Sequence, residues 1–332
     1  MWRMKWRDAV IWTLFFCLIT AGLITAGCSG RYPAKENVDS GVQGQGTGFG
    51  EAREIDFTIL HEGLEREYRV HLPPAYDGSS KTPVVIFIHG SGGDIRSASR
   101  DGLDTYSDEL GFILVTPVAT NALEGPLGSR WNGGEWSGGQ CCGSADDVGF
   151  ISRMIGELQQ NFTVDEKRIY VTGISNGGLM TNRLACELSD KIAAVAVVAP
   201  PAITESCSPS RPVPVMIIYG TEDPANPLDG SPPRGIFALV DYDRMLPQDV
   251  VNSWVRIDGC SPDSTSITKV GGVTFTTYEG ENGTEVLFCL VEGMGHTWPS
   301  GMQYFSARVV GEVSNELSMV DIWTFFQKHP MR

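Results

Sequence analysis

The sequence predicts an α/β fold in which a mostly parallel central sheet is covered by helices on both faces and begins with an antiparallel hairpin. Short, nearly continuous apolar runs rich in Val and Ile recur along the chain, which is typical of strands buried on both faces of a parallel sheet. Helical patterns fall between these runs, as repeated strand–helix units require. An earlier pair of segments alternates apolar and polar residues, which indicates a hairpin with one solvated face.

Each element follows from one of these patterns. The predicted hairpin comprises Ile55–Leu60 and Arg66–Leu72, with turn residues Glu62 and Gly63 between them. Buried strands are predicted at Val84–Ile88, Phe112–Thr116, Ile169–Ile174, Ala193–Val198, Val213–Tyr219 and Val286–Val291. Helices are predicted at about Asp146–Gln160, Gly177–Leu188, Gln248–Asp258 and Asn315–Phe326. The polar segment Thr265–Tyr278 indicates a second hairpin and a possible binding edge.

The beginning of the chain has the pattern of an export signal. A basic start is followed by an apolar run, Ala9–Gly27, that ends in small residues before Cys28. This resembles the bacterial lipobox, with Thr25 where Leu is usual, and it predicts a signal peptide at 1–27 and lipidation of Cys28. An uncleaved anchor helix is the alternative. Both predict a membrane-anchored protein that faces the periplasm or the cell exterior.

The remaining chain is predicted to be a flexible Gly-rich tether, 28–52, followed by one folded domain, 53–332. The formal net charge of −15 disfavours nucleic acids as partners, because such partners are recruited by basic patches. Six cysteines of the exported part favour disulfides over a metal site, and their pairing stays open. They are Cys141, Cys142, Cys186, Cys207, Cys260 and Cys289.

One motif points to a nucleophile. Gly173-Ile174-Ser175-Asn176-Gly177 matches G-x-S-x-G, and it lies between a predicted strand and a predicted helix. A nucleophilic serine requires this sharp turn, in which the flanking glycines let strand and helix approach closely. The alternative is a Gly-rich turn with an incidental serine. The context favours Ser175 as a nucleophile.

A nucleophilic serine also needs a base and an acid, here expected in the chain order Ser, acid, His. Of the two histidines that follow Ser175, His296 lies in a Gly-flanked loop after a predicted strand, whereas His329 lies in the terminal tail. Glu222 and Asp223 both lie just after the predicted strand Val213–Tyr219. Asp223 is preferred as the acid because a proline fixes the next turn.

The oxyanion formed during such a reaction requires two backbone N–H groups. One is expected from Asn176, and the second from the loop His89–Gly93, where Ser91 is the candidate. His89 itself is expected to border the substrate pocket and to act structurally. Trp131 and Trp298 are further pocket candidates, since an aromatic face can pack on a phenolic acyl group or a sugar. Each could instead anchor a loop.

With these residues the sequence resembles the polyhydroxybutyrate depolymerase and feruloyl esterase family, from about Arg66 to Pro330. The matching blocks are His89-Gly90, Cys141-Cys142-Gly143, Asp146 to Phe150, Tyr170 to Gly178, Leu184 to Leu188, Gly220 to Asp223, and Gly295 to Pro299. The resemblance implies the α/β-hydrolase fold and a serine esterase with Ser175, Asp223 and His296 as the triad. Tyr219, Ala225-Asn226-Pro227 and Ser300 depart from the family pattern beside the expected pocket, so they leave the substrate open.

The resemblance implies a short-chain hydroxyalkanoate, or a feruloyl or acetyl ester of a polysaccharide, as substrate. The expected acyl transfer through a serine triad needs neither a cofactor nor a metal. Two other functions stay open at this point. One is a serine peptidase on the same fold, and the other is a non-catalytic binding lipoprotein.

Overall fold

The computed structural model describes residues 52–120, 128–136, 139–204, 206–239, 244–263 and 265–332. All of them belong to the second of the two units into which the chain divides, Met1–Gly46 and Thr47–Arg332. The predicted signal 1–27, the predicted lipidation site Cys28 and the predicted tether up to residue 51 lie outside the described residues. Within the described ranges, each helix is too short or too polar to cross a membrane.

A ten-stranded sheet forms the centre of the domain. Its strands are β1 Arg53–His61, β2 Leu64–Leu72, β3 Thr82–Ile88, β4 Ile113–Pro117, β7 Val164–Ile174, β8 Ala194–Val198, β9 Val215–Gly220, β10 Thr265–Val270, β11 Val273–Glu279 and β12 Glu285–Val291. The order across the sheet is β1-β2-β4-β3-β7-β8-β9-β12-β11-β10. The six central strands are parallel, and an antiparallel hairpin lies at each edge. The mostly parallel sheet and both predicted hairpins are therefore confirmed.

The first five helices lie in the connections between strands, and the last two follow β12. They are α1 Ser97–Arg100, α2 Leu103–Leu110, α3 Asp147–Asn161, α4 Asn176–Glu187, α5 Pro247–Ile257, α6 Ala307–Val310 and α7 Met319–Lys328. Short 3₁₀ turns lie at Gly235–Leu239 and Glu281–Gly283, and β5 Gly134–Trp136 pairs with β6 Gly139–Cys141. All four predicted helices are present. The last begins four residues late, at Met319, because Ser318 and Asp321 form a capping box there.

The core lies on both faces of the parallel strands, where β8 and β9 are buried along their whole length. Helix α7 packs Phe326 on Tyr170 of β7, with ring centroids 4.6 Å apart. Each fully buried apolar side chain of this kind contributes about 1.5–3 kcal/mol relative to an exposed one. Because β7, β8, β9 and β12 are parallel neighbours, the carboxyl ends of β7, β9 and β12 lie at the same end of the sheet.

The prediction of disulfides is confirmed in part. Cys186 of α4 is bonded to Cys207, and Cys142 is also disulfide-bonded. For Cys260 and Cys289 the prediction is wrong, because both are buried free thiols. They pack as small apolar side chains in the hydrophobic core.

Candidate active site

Ser175 occupies a sharp turn between the end of β7 and the start of α4. Its backbone dihedrals are φ 58° and ψ −121°. A positive φ is costly for a residue with a Cβ, so the packing around the turn must hold it in place. The Ser175 N–H donates to the carbonyl of Val198 at 2.9 Å, which ties the turn to the end of β8.

The two glycines of the G-x-S-x-G motif lie against the backbone of β3. A Cβ on Gly173 would be 2.6 Å from the carbonyl oxygen of Ile88, and a Cβ on Gly177 would overlap the same oxygen. Any other residue at either position would push β3 away from the turn. The sequence requirement for glycine is therefore steric, as the motif predicts.

Asp223 and His296 lie in direct contact at the carboxyl ends of the parallel strands. Asp223 follows β9, and His296 follows β12, its parallel neighbour. The His296 Nδ1 is 2.9 Å from Asp223 Oδ2 and 3.1 Å from Oδ1. The loops can approach because Gly220 has no side chain: a Cβ there would overlap the carbonyl of Met294.

The structure distinguishes between the two candidate acids. Asp223 is 1% exposed, whereas Glu222 is exposed to solvent. Burial alone would raise the pKa of Asp223, but His296 and the donors from Ala225 and Asn226 hold that pKa below its usual value. The carboxylate is thus charged and aimed at the imidazole.

His296 and His329 have different surroundings. The Nε2 of His296, on the side of the ring away from Asp223, is buried and has no hydrogen-bond partner among the described residues. His329 is instead 2.8 Å from Glu285, at the beginning of β12 and therefore at the opposite end of that strand. Of the two histidines, only His296 lies at the carboxyl ends of the parallel strands, where Ser175 also lies.

The loop after β3 passes close to Ser175. A Cβ on Gly90 would be 3.5 Å from the Ser175 Cβ. The N–H of Ala119 donates to His89 Nε2 at 3.2 Å, so the proton must be on Nδ1, which lies 2.7 Å from the carbonyl oxygen of Gly90. Burial lowers the pKa of His89 to about 4. His89 is therefore a neutral side chain that orients this loop, in which Ser91 follows.

Asn176 is fixed by its side chain as well as by its place at the start of α4. Its side-chain amide oxygen accepts from the backbone N–H of Trp131 at 2.8 Å, and its side-chain amide nitrogen donates to the backbone carbonyl of Trp131 at 3.1 Å. The Trp131 indole donates to the carbonyl of His89 at 3.0 Å. The Trp131 segment thus connects Asn176 with the loop after β3.

The two tryptophans predicted to border the pocket are fully buried. Trp131 packs against His89, with ring centroids 5.1 Å apart, and Trp298 packs edge-on against Phe87 at 5.1 Å. Neither ring offers a face to a substrate, so the pocket prediction for Trp131 and Trp298 is corrected in favour of loop anchoring. The physical reason is that the Gly-rich loops around them pass close enough to enclose both rings.

Sequence reasoning did not identify the buried ion pair that supports the Trp131 segment. Arg66 and Asp147 are 2.6 Å apart, and Asp147 also accepts from the Asn132 N–H at 2.6 Å. Burial raises the pKa of Asp147, although Arg66 and the Asn132 N–H act against this. The only signal available was the Asp146-Asp147 block among the family motifs, which gives no hint of the arginine 81 residues earlier.

A cavity of about 240 Å³ opens beside the loop after β3. Its lining consists of Phe87, His89, Gly90, Ser91, Gly92, Gly93, Ser97, Arg100, Asp101, Ile174, Tyr304 and Phe305. Ile174 immediately precedes Ser175, so the cavity adjoins the nucleophile candidate. A concave site with an apolar lining and a few polar groups is typical of a small-molecule site.

Comparisons with known proteins show similarity to esterases. The family model Esterase, described as "Putative esterase", matches residues 62–260. The chain is 30% identical over 290 residues to "Putative esterase NocK" of Nocardia uniformis subsp. tsuyamanensis, covering 79% of each chain. It is 31% identical over 248 residues to Feruloyl esterase B of Piromyces equi, covering 71% of this chain but 43% of that protein.

Solved structures show the same fold at low identity. The acetyl xylan esterase from Aspergillus awamori superposes with a TM-score of 0.54 at 14% identity, covering 82% of this chain and 99% of that one. A thermostable esterase superposes with a TM-score of 0.53 at 17% identity, covering 83% and 63%. The predicted α/β-hydrolase fold is confirmed. Because the family match spans well over half of its length, the chain belongs to the Esterase family and is a carboxylic ester hydrolase.

Proposed function

We propose that this esterase works by serine acyl transfer, with Ser175 as nucleophile, His296 as base and Asp223 as the orienting acid. The proposal rests above all on the Asp223–His296 contact of 2.9 Å, which leaves the His296 Nε2 without a partner. This is the nitrogen that must accept the serine proton. The strained turn at Ser175, at the same edge of the sheet, supports it further.

In this mechanism His296 takes the proton of Ser175 as the serine oxygen attacks the ester carbonyl carbon. The backbone N–H groups of Asn176 and Ser91 donate to the oxyanion that forms. The alcohol leaves with the proton from His296, and water then attacks the acyl-enzyme by the same route. Asp223 holds the imidazole in the required tautomer and stabilises its charged form.

For the substrate we propose a neutral ester: a feruloyl or acetyl ester of a polysaccharide, or a short-chain hydroxyalkanoate. The names of two similar proteins, Feruloyl esterase B and an acetyl xylan esterase, support the first pair. The net charge of −15 also disfavours an anionic polymer as substrate.

The test uses the full chain, purified in mild detergent, and its Ser175→Ala variant. Both are assayed on p-nitrophenyl esters from acetate to octanoate and on the ferulate ester, and both are treated with a fluorophosphonate that labels activated serines. We expect hydrolysis and labelling by the parent protein alone, with the label on the Ser175 peptide. A folded parent protein that is inactive on every ester would contradict the proposal and favour a peptidase or a binding role.

We also propose that the protein is exported and anchored through a lipid on Cys28. The apolar run before Cys28 supports this, as does the Cys186–Cys207 bond, because disulfides persist in oxidising compartments outside the cytoplasm. Metabolic labelling with an alkyne fatty acid is expected to mark the parent protein but not Cys28→Ser. Equal labelling of both proteins would overturn the anchor, and a cytoplasmic location would overturn export.

A further inference from the structure

The imidazole of His296 is held by hydrogen bonds at only one of its two nitrogens among the described residues. Its Nδ1 lies 2.9 and 3.1 Å from the two oxygens of Asp223, whereas its Nε2 has no partner there. A contact at one nitrogen sets the direction of that nitrogen, but it leaves the ring free to tilt about the line to the carboxylate. Aiming Nε2 at Ser175 therefore requires a second contact on the ring.

An aromatic side chain supplies this second contact. The ring of Phe237 packs against the imidazole of His296 in a T-shaped arrangement, with centroids 4.9 Å apart and 64° between the ring planes. This is a preferred arrangement of two aromatic rings, so it favours one tilt of the imidazole over the others. His296 is 6% exposed, whereas Phe237 is half-buried, which places the phenyl ring on the outer side of the pair.

Phe237 reaches His296 from the same connection that carries Asp223. It lies in the first of the two 3₁₀ turns, between β9 and α5. Just before this turn, the N–H of Arg234 donates to the carbonyl of Pro224 at 2.8 Å, and the N–H of Phe237 donates to the carbonyl of Arg234 at 3.3 Å. Backbone hydrogen bonds thus tie the aromatic ring to the residue that follows the acid.

The sequence around Phe237 is otherwise poor in groups that could pack. Residues 227–235 are proline, glycine, charged residues and serine, apart from Leu228. An apolar ring that follows such a segment is buried only through what it packs against, and for Phe237 this includes the imidazole. The contact is therefore a specific one between the two rings and not part of a continuous apolar cluster on this loop.

We propose that Phe237 is a positioning residue, whose ring fixes the tilt of the His296 imidazole so that Nε2 faces the Ser175 hydroxyl. This inference rests on the proposed function, because it requires His296 to be the base. Asp223 fixes Nδ1 and Phe237 fixes the ring plane, so the two side chains together leave the imidazole one orientation. Misplacing a reacting group by about 1 Å can lower a rate by roughly a hundredfold, so Phe237 acts on the rate through His296.

The test compares the full chain with Phe237→Ala, Phe237→Leu and Phe237→Tyr in the hydrolysis of p-nitrophenyl acetate. We expect Phe237→Ala to lower kcat by about tenfold or more and to change KM less than about twofold, because the base is misoriented while the substrate contacts remain. Phe237→Tyr keeps the ring and is expected to retain kcat within about threefold. Phe237→Leu fills much of the space without a flat ring, so its kcat should lie between the other two.

The rate of labelling by the fluorophosphonate is a second measurement. The label reacts with the serine oxygen, so it depends on the same base but not on the release of an alcohol. We therefore expect labelling of Ser175 in Phe237→Ala to slow by about the same factor as kcat. Labelling at the parent rate would overturn the inference.

Phe57→Ala is the matched control. It removes another half-buried phenyl ring, from β1, which stacks on Tyr68 with centroids 5.0 Å apart. The free energy of unfolding of Phe57→Ala and Phe237→Ala is measured by urea denaturation, and we expect Phe57→Ala to lose stability but to keep kcat within about twofold.

The outcomes separate this inference from the proposed function. An active parent protein whose Phe237→Ala variant keeps its kcat would overturn the inference and leave the proposed function intact. Equal losses of kcat in all three Phe237 variants, or in Phe57→Ala as well, would also overturn it, because the loss would then follow folding and not the ring. A parent protein inactive on every ester would contradict the proposed function itself.

Discussion

The side-chain amide of Asn226 lies between the carboxylate of Asp223 and the carbonyl of Ala199. Its nitrogen is 3.2 Å from Asp223 Oδ2 and 3.1 Å from the Ala199 oxygen. The backbone N–H groups of Ala225 and Asn226 hold the other carboxylate oxygen, at 2.7 and 3.2 Å. Both oxygens of Asp223 are therefore fixed before they meet His296, and one of these contacts connects the ends of β8 and β9.

Asn226→Ala is expected to lower the kcat of ester hydrolysis by about tenfold with little change in KM. The variant frees one carboxylate oxygen. The lost hydrogen bond to a charged group is worth about 1.5 kcal/mol, and its loss misorients the base more than it weakens substrate binding. Asn226 is also among the groups that hold the pKa of Asp223 down, so the acid limb of the pH–rate profile should move toward higher pH. Asn252→Ala, which removes an exposed amide, is the control; similar kinetics in both variants would contradict the role.

Ser175→Gly is expected to be more stable than Ser175→Ala by about 1 kcal/mol, and both variants are expected to be inactive. The turn has φ 58°, which glycine adopts without the steric cost that a Cβ imposes. The free energy of unfolding of both variants is measured by urea denaturation. Equal stabilities would mean that the turn relaxes when the serine hydroxyl is removed and stores no strain at this residue.

The strand–helix pattern could be predicted because its physical causes are local. Val195 and Ile217 lie in apolar runs that only a sheet buried on both faces accommodates, and Ser175 lies in a motif whose glycines are sterically required. Asp223 and His296 each follow a predicted strand, in the chain order expected after a nucleophilic serine. In each case, a short segment of sequence carries the structural requirement.

The contacts that the sequence did not reveal depend on distant partners. Cys260 and Cys289 are buried as free thiols, and no composition rule distinguishes them from Cys186, which is bonded to Cys207. Trp131 and Trp298 lie in Gly-rich loops that could equally have exposed them. The ion pair of Arg66 and Asp147 joins residues that are 81 positions apart, so local sequence does not contain it.

Asp258→Asn is expected to make the protein more stable at pH 8 but not at pH 5. Burial raises the pKa of Asp258 to about 7, against the pull of the Val213 N–H and Arg211. The folded protein thus binds this proton more tightly than the unfolded chain does, and the contribution to stability is lost as pH rises from about 4 through about 7. Asparagine keeps an acceptor for the Val213 N–H and carries no charge.

We expect a gain of about 1–2 kcal/mol at pH 8 in urea denaturation, on the scale of 1.36 kcal/mol for each unit of pKa difference. The low pKa of His89 acts in the opposite direction, but it is present in both proteins and cancels in the comparison. Asp263→Asn, at an exposed carboxyl group, is the control and should show no such pH dependence. A gain of the same size at pH 5 would point to a packing effect instead.

The Cys186–Cys207 bond closes a loop with a sequence separation of 21 residues from the end of α4. Removing a bond of that span is expected to lower the free energy of unfolding by about 3 kcal/mol, mainly through the larger entropy of the unfolded chain. The Cys186→Ser, Cys207→Ser double variant isolates this bond, whereas a reductant would also act on Cys142. Because Ser175 is held at the opposite end of α4 by β7 and β8, we expect kcat at 25 °C to change less than twofold. A large loss of kcat in a protein of unchanged stability would mean that the bond acts on the active site and not on the unfolded state.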